Sequence, residues 1–309
     1  MIQLEAVTKL YGTVIGVNDV SLTLEPGSYG LLGPNGSGKT TLINLLMGQL
    51  RPTIGTVKIF EANPSRNDRV LRRIGLCPAS DLLIPNISAM EWVSYQVELY
   101  GFSRSDAVEK ATKSLEIVGM NHAMNRNIGT YSLGMRQRTK LAQAIAHDPD
   151  LLILDEPFNG LDPIGRHEMT QLLMQWRESG RSILLASHVL HEIEAIRPSF
   201  LLISGGRLLA SGSPAEVRNL LVDLPNEIEL EVDQPQQVAA LICEQMEVDT
   251  IRVLNSNRMM VVTRHSQKLF EYLPVLASQH GVQIHQVRTR DESLQDLFTT
   301  LMRRHRGEL

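Results

Sequence analysis

Apolar and polar positions change period in a regular way along the chain. Ser21-Leu22-Thr23-Leu24 alternates like a half-buried strand, and Tyr29-Gly30-Leu31-Leu32 is a short apolar run broken by a glycine-rich turn. Thr40 to Gln49 then places Leu42, Leu45 and Leu46 on one helical face. Leu151–Leu154 and Ser182–Ala186 are unbroken apolar runs of strand length, as strands covered on both faces require. Leu201–Ile203 reads as another short strand, ended by Gly205-Gly206. Strands alternating with helices predict an α/β domain around a central, parallel sheet.

Residues 82–147 differ. They carry helical spacing without a strong strand: Ala89 to Tyr100 and Arg104 to Val118 read as helices with a break at Gly101. This stretch is expected to be a helical subdomain inserted into the sheet domain. Asp223-Leu224-Pro225-Asn226 reads as a linker, separating a first domain at 1–222 from a second at 227–309. Beyond it, Glu227–Val232 alternates as a strand and Gln236–Met246 is helical. Thr250–Leu254 and Met259–Thr263 read as strands, Gln267–His280 as a helix, Gln283–Val287 as a strand and Glu292–Arg303 as a final helix. The order βαββαβ before that last helix predicts a small α+β domain.

At 309 residues, the length itself favours two domains. The net charge of −4 gives no sign of a nucleic-acid surface, so no nucleic-acid partner is expected. Cys77 and Cys243 are far apart and lack metal spacing, which suits free thiols in a reducing compartment. The start, MIQLEAVTKL, has no basic and apolar leader pattern, so no signal peptide is expected. No apolar run approaches the ~20 residues that a membrane-crossing helix needs.

Two motifs carry chemistry. Gly33-Pro34-Asn35-Gly36-Ser37-Gly38-Lys39-Thr40, followed by Thr41, fits G-x-x-x-x-G-K-[ST] between a strand and a helix. The glycines let successive backbone N–H groups face phosphate oxygens, and the helix adds its positive N-terminal end. Lys39 is placed to reach the β- and γ-phosphates and Thr40 to ligate Mg²⁺. Downstream, LLILDE at 151–156 brings Asp155 and Glu156 to the end of an apolar strand. Asp155 is suited to hold Mg²⁺ and Glu156 to polarise an attacking water. A strand ending in two solvated acids has the same local pattern; the phosphate loop upstream favours the functional reading.

Four further features resemble the ATP-binding-cassette (ABC) transporter ATPases. Tyr131-Ser132-Leu133-Gly134-Met135 is similar to the family signature in its exporter-like form, and Asn159-Gly160-Leu161-Asp162-Pro163 is similar to the loop that follows the two acids. His188 stands where the family has its switch histidine, and Tyr11 where it has an aromatic residue. The resemblance covers about residues 1–215. It implies ATP and Mg²⁺ as ligands, with Tyr11 stacked on adenine. It places Ser132 and Gly134 against the γ-phosphate held by a second ATP-binding subunit, most simply an identical one. Asp162 would help to place the facing subunit, and His188 would contact the γ-phosphate and orient water. Taken singly, Ser132 could be no more than a helix cap and Tyr11 a surface aromatic. His188 and His191 are three apart, but no third ligand accompanies them.

The resemblance also implies a separate integral membrane permease, a peripheral position on the cytoplasmic face and coupling of hydrolysis to transport, with export as the expected direction by likeness to drug and polysaccharide exporters. The alternatives are a non-transport ABC ATPase acting on a macromolecular complex, or a slowly hydrolysing interaction module. The chain departs from the pattern at Ala79, where the family usually has Gln or Glu after Pro78. That departure predicts slowed hydrolysis, or substitution by Ser80 or Asp81. Trp92 or Tyr100 is expected to contact a membrane partner.

Overall fold

The computed structural model describes residues 1–194, 196, 199–213, 216 and 226–289. The chain divides into two compact units, Met1–Ser213 and Pro214–Leu309.

The first unit contains two sheets. Strands β1 (Ile2–Tyr11), β2 (Val14–Leu24) and β4 (Ile54–Ile59) form an antiparallel sheet in the order β2-β1-β4. The second sheet is built from β3 (Ser28–Leu32), β5 (Ile74–Cys77), β6 (Leu151–Asp155), β7 (Ser182–Ser187), β8 (Ser199–Ser204) and β9 (Arg207–Gly212). Its order is β5-β6-β7-β3-β8-β9, parallel except for β9. Every residue of β6 and β7 is buried, which explains why their sequences are continuous rather than alternating. Helix α1 (Lys39–Leu46) shares one apolar core with both sheets, through Leu42, Ile43, Leu45 and Leu46.

Some elements differ from the sequence expectation. Helix α1 stops at Leu46 rather than Gln49; Gly48 turns the chain at φ +66°, where a Cβ would stand 2.6 Å from the Pro64 carbonyl oxygen. Gly205 and Gly206, at φ +53° and +77°, do more than end β8. They form the tight turn that folds β9 back antiparallel, a conformation nearly closed to other residues. Strands β1, β4, β5 and β9 are elements that the local sequence pattern does not predict.

The other helices of this unit begin at recognisable caps. After α2 (Asp68–Leu71), helix α3 (Ala89–Leu99) starts in a reciprocal capping box between Ser88 and Glu91. Ser103 caps α4 (Arg104–Ile117), Ser132 caps α5 (Leu133–Ile145), and Asp162 caps α6 (Pro163–Glu178), whose first residue is proline. Helix α7 (Leu190–Glu194) follows β7.

The second unit runs β10 (Asn226–Val232), α8 (Pro235–Gln245), β11 (Thr250–Val253), β12 (Arg258–Thr263), α9 (Ser266–His280) and β13 (Ile284–Thr289). Its antiparallel sheet has the order β11-β12-β10-β13, a split βαβ arrangement. Ile228, Leu230 and Val232 are fully buried against Val238, Ile242, Leu269 and Leu276, while the intervening glutamates are not. The helix expected over Glu292–Arg303 lies outside the described residues. Among the described residues, no helix is long and apolar enough to cross a membrane.

Candidate nucleotide site

Lys39, Thr40, Asp155, Glu156 and His188 cluster where parallel strands end. The glycine-rich loop follows β3, Asp155 closes β6 with Glu156 next, and His188 follows β7. This carboxyl edge is where open α/β sheets place ligands.

The loop is built for close backbone approach. A Cβ on Gly33 would stand 2.4 Å from the Ile203 carbonyl, and one on Gly38 2.4 Å from that of Gly16. Gly38, at φ +108°, precedes α1 and offers no side-chain cap to its first N–H groups. Those donors therefore stay available to an anion at the positive end of the helix. Asn35 and Gly36 at the loop's crest are exposed, whereas Ser37 is buried and its hydroxyl lacks a partner. Pro34 contributes a carbonyl. The buried Lys39 ammonium donates to Gly33 O at 2.7 Å and to Pro34 O at 3.2 Å. It also lies 3.4 Å from Glu156 Oε1. The loop thus curls around a positive charge at its centre.

Thr40 Oγ1 donates to Asp155 Oδ2 at 2.9 Å, while Asp155 Oδ1 is buried without a hydrogen-bond partner. Burial raises the Asp155 carboxyl above its usual pKa range. The Thr40 hydrogen bond opposes that rise, Glu156 adds to it, and Lys39 and Lys140 counter it. A hydroxyl beside a half-satisfied, dehydrated carboxylate is an oxygen donor set that suits a hard divalent cation.

Glu156 is held in the left-handed region at φ +51°, a conformation costing a non-glycine residue about 1–2 kcal/mol. Its N–H donates to Ala186 O at 2.9 Å, which secures the strained backbone. Its Oε2 lies 2.9 Å from His188 Nδ1 and 3.3 Å from the Ser187 hydroxyl. Ser187 Oγ is also 2.8 Å from Oε2 of the buried Glu192, whose Oε1 lies 3.4 Å from Arg166. Ser187, Glu192 and Arg166 had not been singled out in the sequence. They belong to no local motif, and only folding brings α6 and α7 together.

Tyr11 is half exposed, with its hydroxyl 3.5 Å from Thr41 Oγ1 and its ring against Gly16. Ser132 accepts from Met135 N at 3.2 Å as the cap of α5. Gly134 neighbours Gly160 and Leu161 rather than the phosphate loop. Asp162 Oδ1 accepts from Gly165 N at 2.8 Å. Tyr11, Ser132 and Asp162 therefore have structural partners within the chain, and Ser132, Gly134 and Asp162 stand apart from the Lys39–Asp155–Glu156 cluster. Phe158, two residues after Glu156, is a fully buried core residue. Among the described residues, no group of three or more His, Cys, Asp or Glu side chains could hold a metal, which leaves His188 and His191 without a third ligand.

Beside the site, a groove of about 580 Å³ extends from Thr40 and Asp155 past Ala79 and Ser80 to Leu82, Trp92 and Tyr100. Trp92 Nε1 donates to Gln143 Oε1 at 2.6 Å, and Tyr100 stacks on His147 at 3.8 Å between centroids. Asp81 is drawn instead to Arg136, 2.8 Å away, so it is engaged elsewhere rather than offered in place of a residue-79 side chain.

The chain is similar to known proteins in sequence and in fold. The ABC transporter family profile matches residues 17–159. A bacitracin transport ATP-binding protein of Bacillus licheniformis is 32% identical over 298 residues, covering 96% of this chain and 95% of its own. A Nod factor export ATP-binding protein of Cupriavidus metallidurans is 33% identical over 312 residues, covering 97% of each. In fold, the chain is similar to a dimeric ATP-binding cassette in a post-hydrolysis state with ADP and Pi. That likeness has a TM-score of 0.64 at 24% identity and covers 69% of this chain and 98% of the other. The chain belongs to the ABC transporter family. It is an ATP-binding subunit of that family and an ATPase.

Proposed function

We propose that this chain is the cytoplasmic-face motor of an exporter, dimerising on ATP and driving a separate integral membrane permease. The observation that carries the reading is the joint placement of Lys39, the Thr40–Asp155 pair and the Glu156–His188 pair around one loop. The loop's N–H groups and Lys39 bind the triphosphate, with Gly33, Pro34, Asn35, Gly36, Ser37 and Gly38 shaping the cradle. Tyr11 and Thr41 flank the base. Thr40 and Asp155 would hold Mg²⁺, which when bound supplies charge neutralisation to the phosphates. Glu156 polarises the attacking water and accepts its proton. His188, hydrogen-bonded to Glu156, keeps that carboxylate aimed and contacts the γ-phosphate.

Ser132 and Gly134 are exposed or half-exposed at the start of α5 and lie away from the chain's own phosphate loop. Their placement supports a second subunit, most simply an identical copy, whose γ-phosphate they reach. Asp162 then fixes the corner facing that subunit. The groove at Trp92 and Tyr100, with exposed Leu82 and Ile84, suits a segment of the permease. Residues 1–222 form the ATP-binding domain and 227–309 an accessory domain. The relatives named for bacitracin transport and Nod factor export support an export role.

Purification from membranes tests this reading. A tightly held multi-spanning protein that stimulates hydrolysis is expected; ribosomal or other soluble partners alone would overturn the transport assignment.

A further inference from the structure

Three side chains of α5 reach the end of β5 and the turn that follows it. Gln137 Nε2 lies 3.7 Å from Cys77 Sγ. The Lys140 ammonium donates to Pro78 O at 2.9 Å and to Ala79 O at 3.3 Å. Arg136 Nε lies 2.8 Å from the Asp81 carboxylate. Arg136 and Lys140 are one helical turn apart and so share a face. The turn they hold borders the groove that contains Thr40 and Asp155.

Lys140 is 5% exposed, and its hydrogen-bond acceptors are backbone carbonyls. Burying an ammonium is costly, and a neutral side chain of the same shape would avoid that cost. Its presence coincides with the chain's main departure from the family pattern. Ala79 has no side-chain oxygen or amide with which to fix the turn or meet a ligand. Backbone carbonyls are the acceptors that remain at that position, and Lys140 takes them.

We infer that Lys140 is a positioning residue that clamps the Pro78–Ala79 turn to α5, compensating for the missing polar side chain at position 79. Helix α5 begins at Ser132, so the turn beside the nucleotide and the helix offered to the second subunit move as one body. Arg136 and Asp81 form the outer tie of the same clamp. The inference rests on the ATPase reading for its consequence in turnover.

The test uses the full-length protein carrying Lys140→Met, which keeps the side-chain length and removes the charge. Amide hydrogen exchange is measured on the nucleotide-free protein, with melting temperature and steady-state ATP hydrolysis alongside. Exchange over Ala79–Leu82 should quicken about tenfold, the scale of one charge-assisted hydrogen bond, while α5 and the melting temperature hold. The kcat should fall about tenfold with KM for ATP unchanged, since ATP still binds Lys39 but the turn no longer follows α5. Unchanged exchange at Ala79–Leu82 would overturn the clamp, as would faster exchange with normal kcat. A parallel fall in melting temperature and α5 protection would reduce Lys140 to a structural residue. If Lys140→Met does not fold, Arg136→Gln, at a side chain 31% exposed, tests the outer tie by the same exchange readout. Failure of the ATPase reading shows separately, as hydrolysis that survives Lys39→Ala.

Discussion

Thr40 and Asp155, 115 residues apart in sequence, share a 2.9 Å hydrogen bond that leaves the second carboxylate oxygen of Asp155 buried and unpartnered. The pair is therefore incomplete as a purely structural contact. A cation would satisfy the free oxygen and the dehydrated charge together. Asp155→Asn should abolish the Mg²⁺-dependent part of ATP binding and leave the metal-free part largely intact, as read by titration calorimetry with and without Mg²⁺. It should also raise the melting temperature of the nucleotide-free protein, because burial penalises the ionised carboxylate. Equal ATP affinity for Asn and Asp in Mg²⁺ would remove Asp155 from the metal site.

Glu156 combines a strained backbone with a 2.9 Å contact to His188. The contact to His188 fixes where the carboxylate points. Glu156→Gln should lower kcat by about 10²–10⁴ while ATP binding persists. Single-turnover kinetics distinguish this from a binding defect; loss of affinity with a normal chemical step contradicts the assignment.

His147 sits under the Tyr100 ring and beside Ile74 O at 3.1 Å. Burial lowers its pKa from 6.5 to about 4, with the Ile74 carbonyl opposing. The unfolded chain takes up this proton first as pH falls below 6.5, and the folded chain follows only near 4. Stability is therefore present above that window and lost as pH drops through it, by about 3 kcal/mol in all. His147→Gln, which can still donate to Ile74 O but cannot become charged, should flatten urea-unfolding stability between those pH values. An equally steep profile in the variant would locate the acid sensitivity elsewhere.

Ala79 itself brings no polar side chain to the groove beside Asp155, while Asp81 is drawn to Arg136. Ala79→Gln should raise steady-state ATP hydrolysis by restoring an amide near the attacking water. No change in kcat would mean that the turn needs no side chain there.

Much of this was legible in the sequence because it rests on short-range rules. The run Leu151–Leu154 could only be a buried strand, and the strand–glycine–Lys39 order fixed where a helix must start. Strand β1 escaped because its burial is irregular: its pairing with β2 shifts register between Leu4 and Leu10, which blurs the two-residue period. Strand β9 escaped because two glycines read as an ending rather than a reversal. In the site, Asp155 and Glu156 announced themselves beside a phosphate loop. Lys140, Glu192 and Arg166 did not, since each lies within a helix and acquires its partner only through packing. Asp162 and Ser132 show the converse: local sequence gives each a capping role, and a second role needs a second chain.

The central claim is that the loop ending in Lys39 grips the triphosphate. ATP turnover by Lys39→Ala, measured with ATP affinity on the same preparation, tests it most directly. Hydrolysis should be lost and affinity should fall, because the ammonium now drawn to Gly33 O, Pro34 O and Glu156 is the charge at the loop's centre. Wild-type affinity and turnover in that variant would contradict the account.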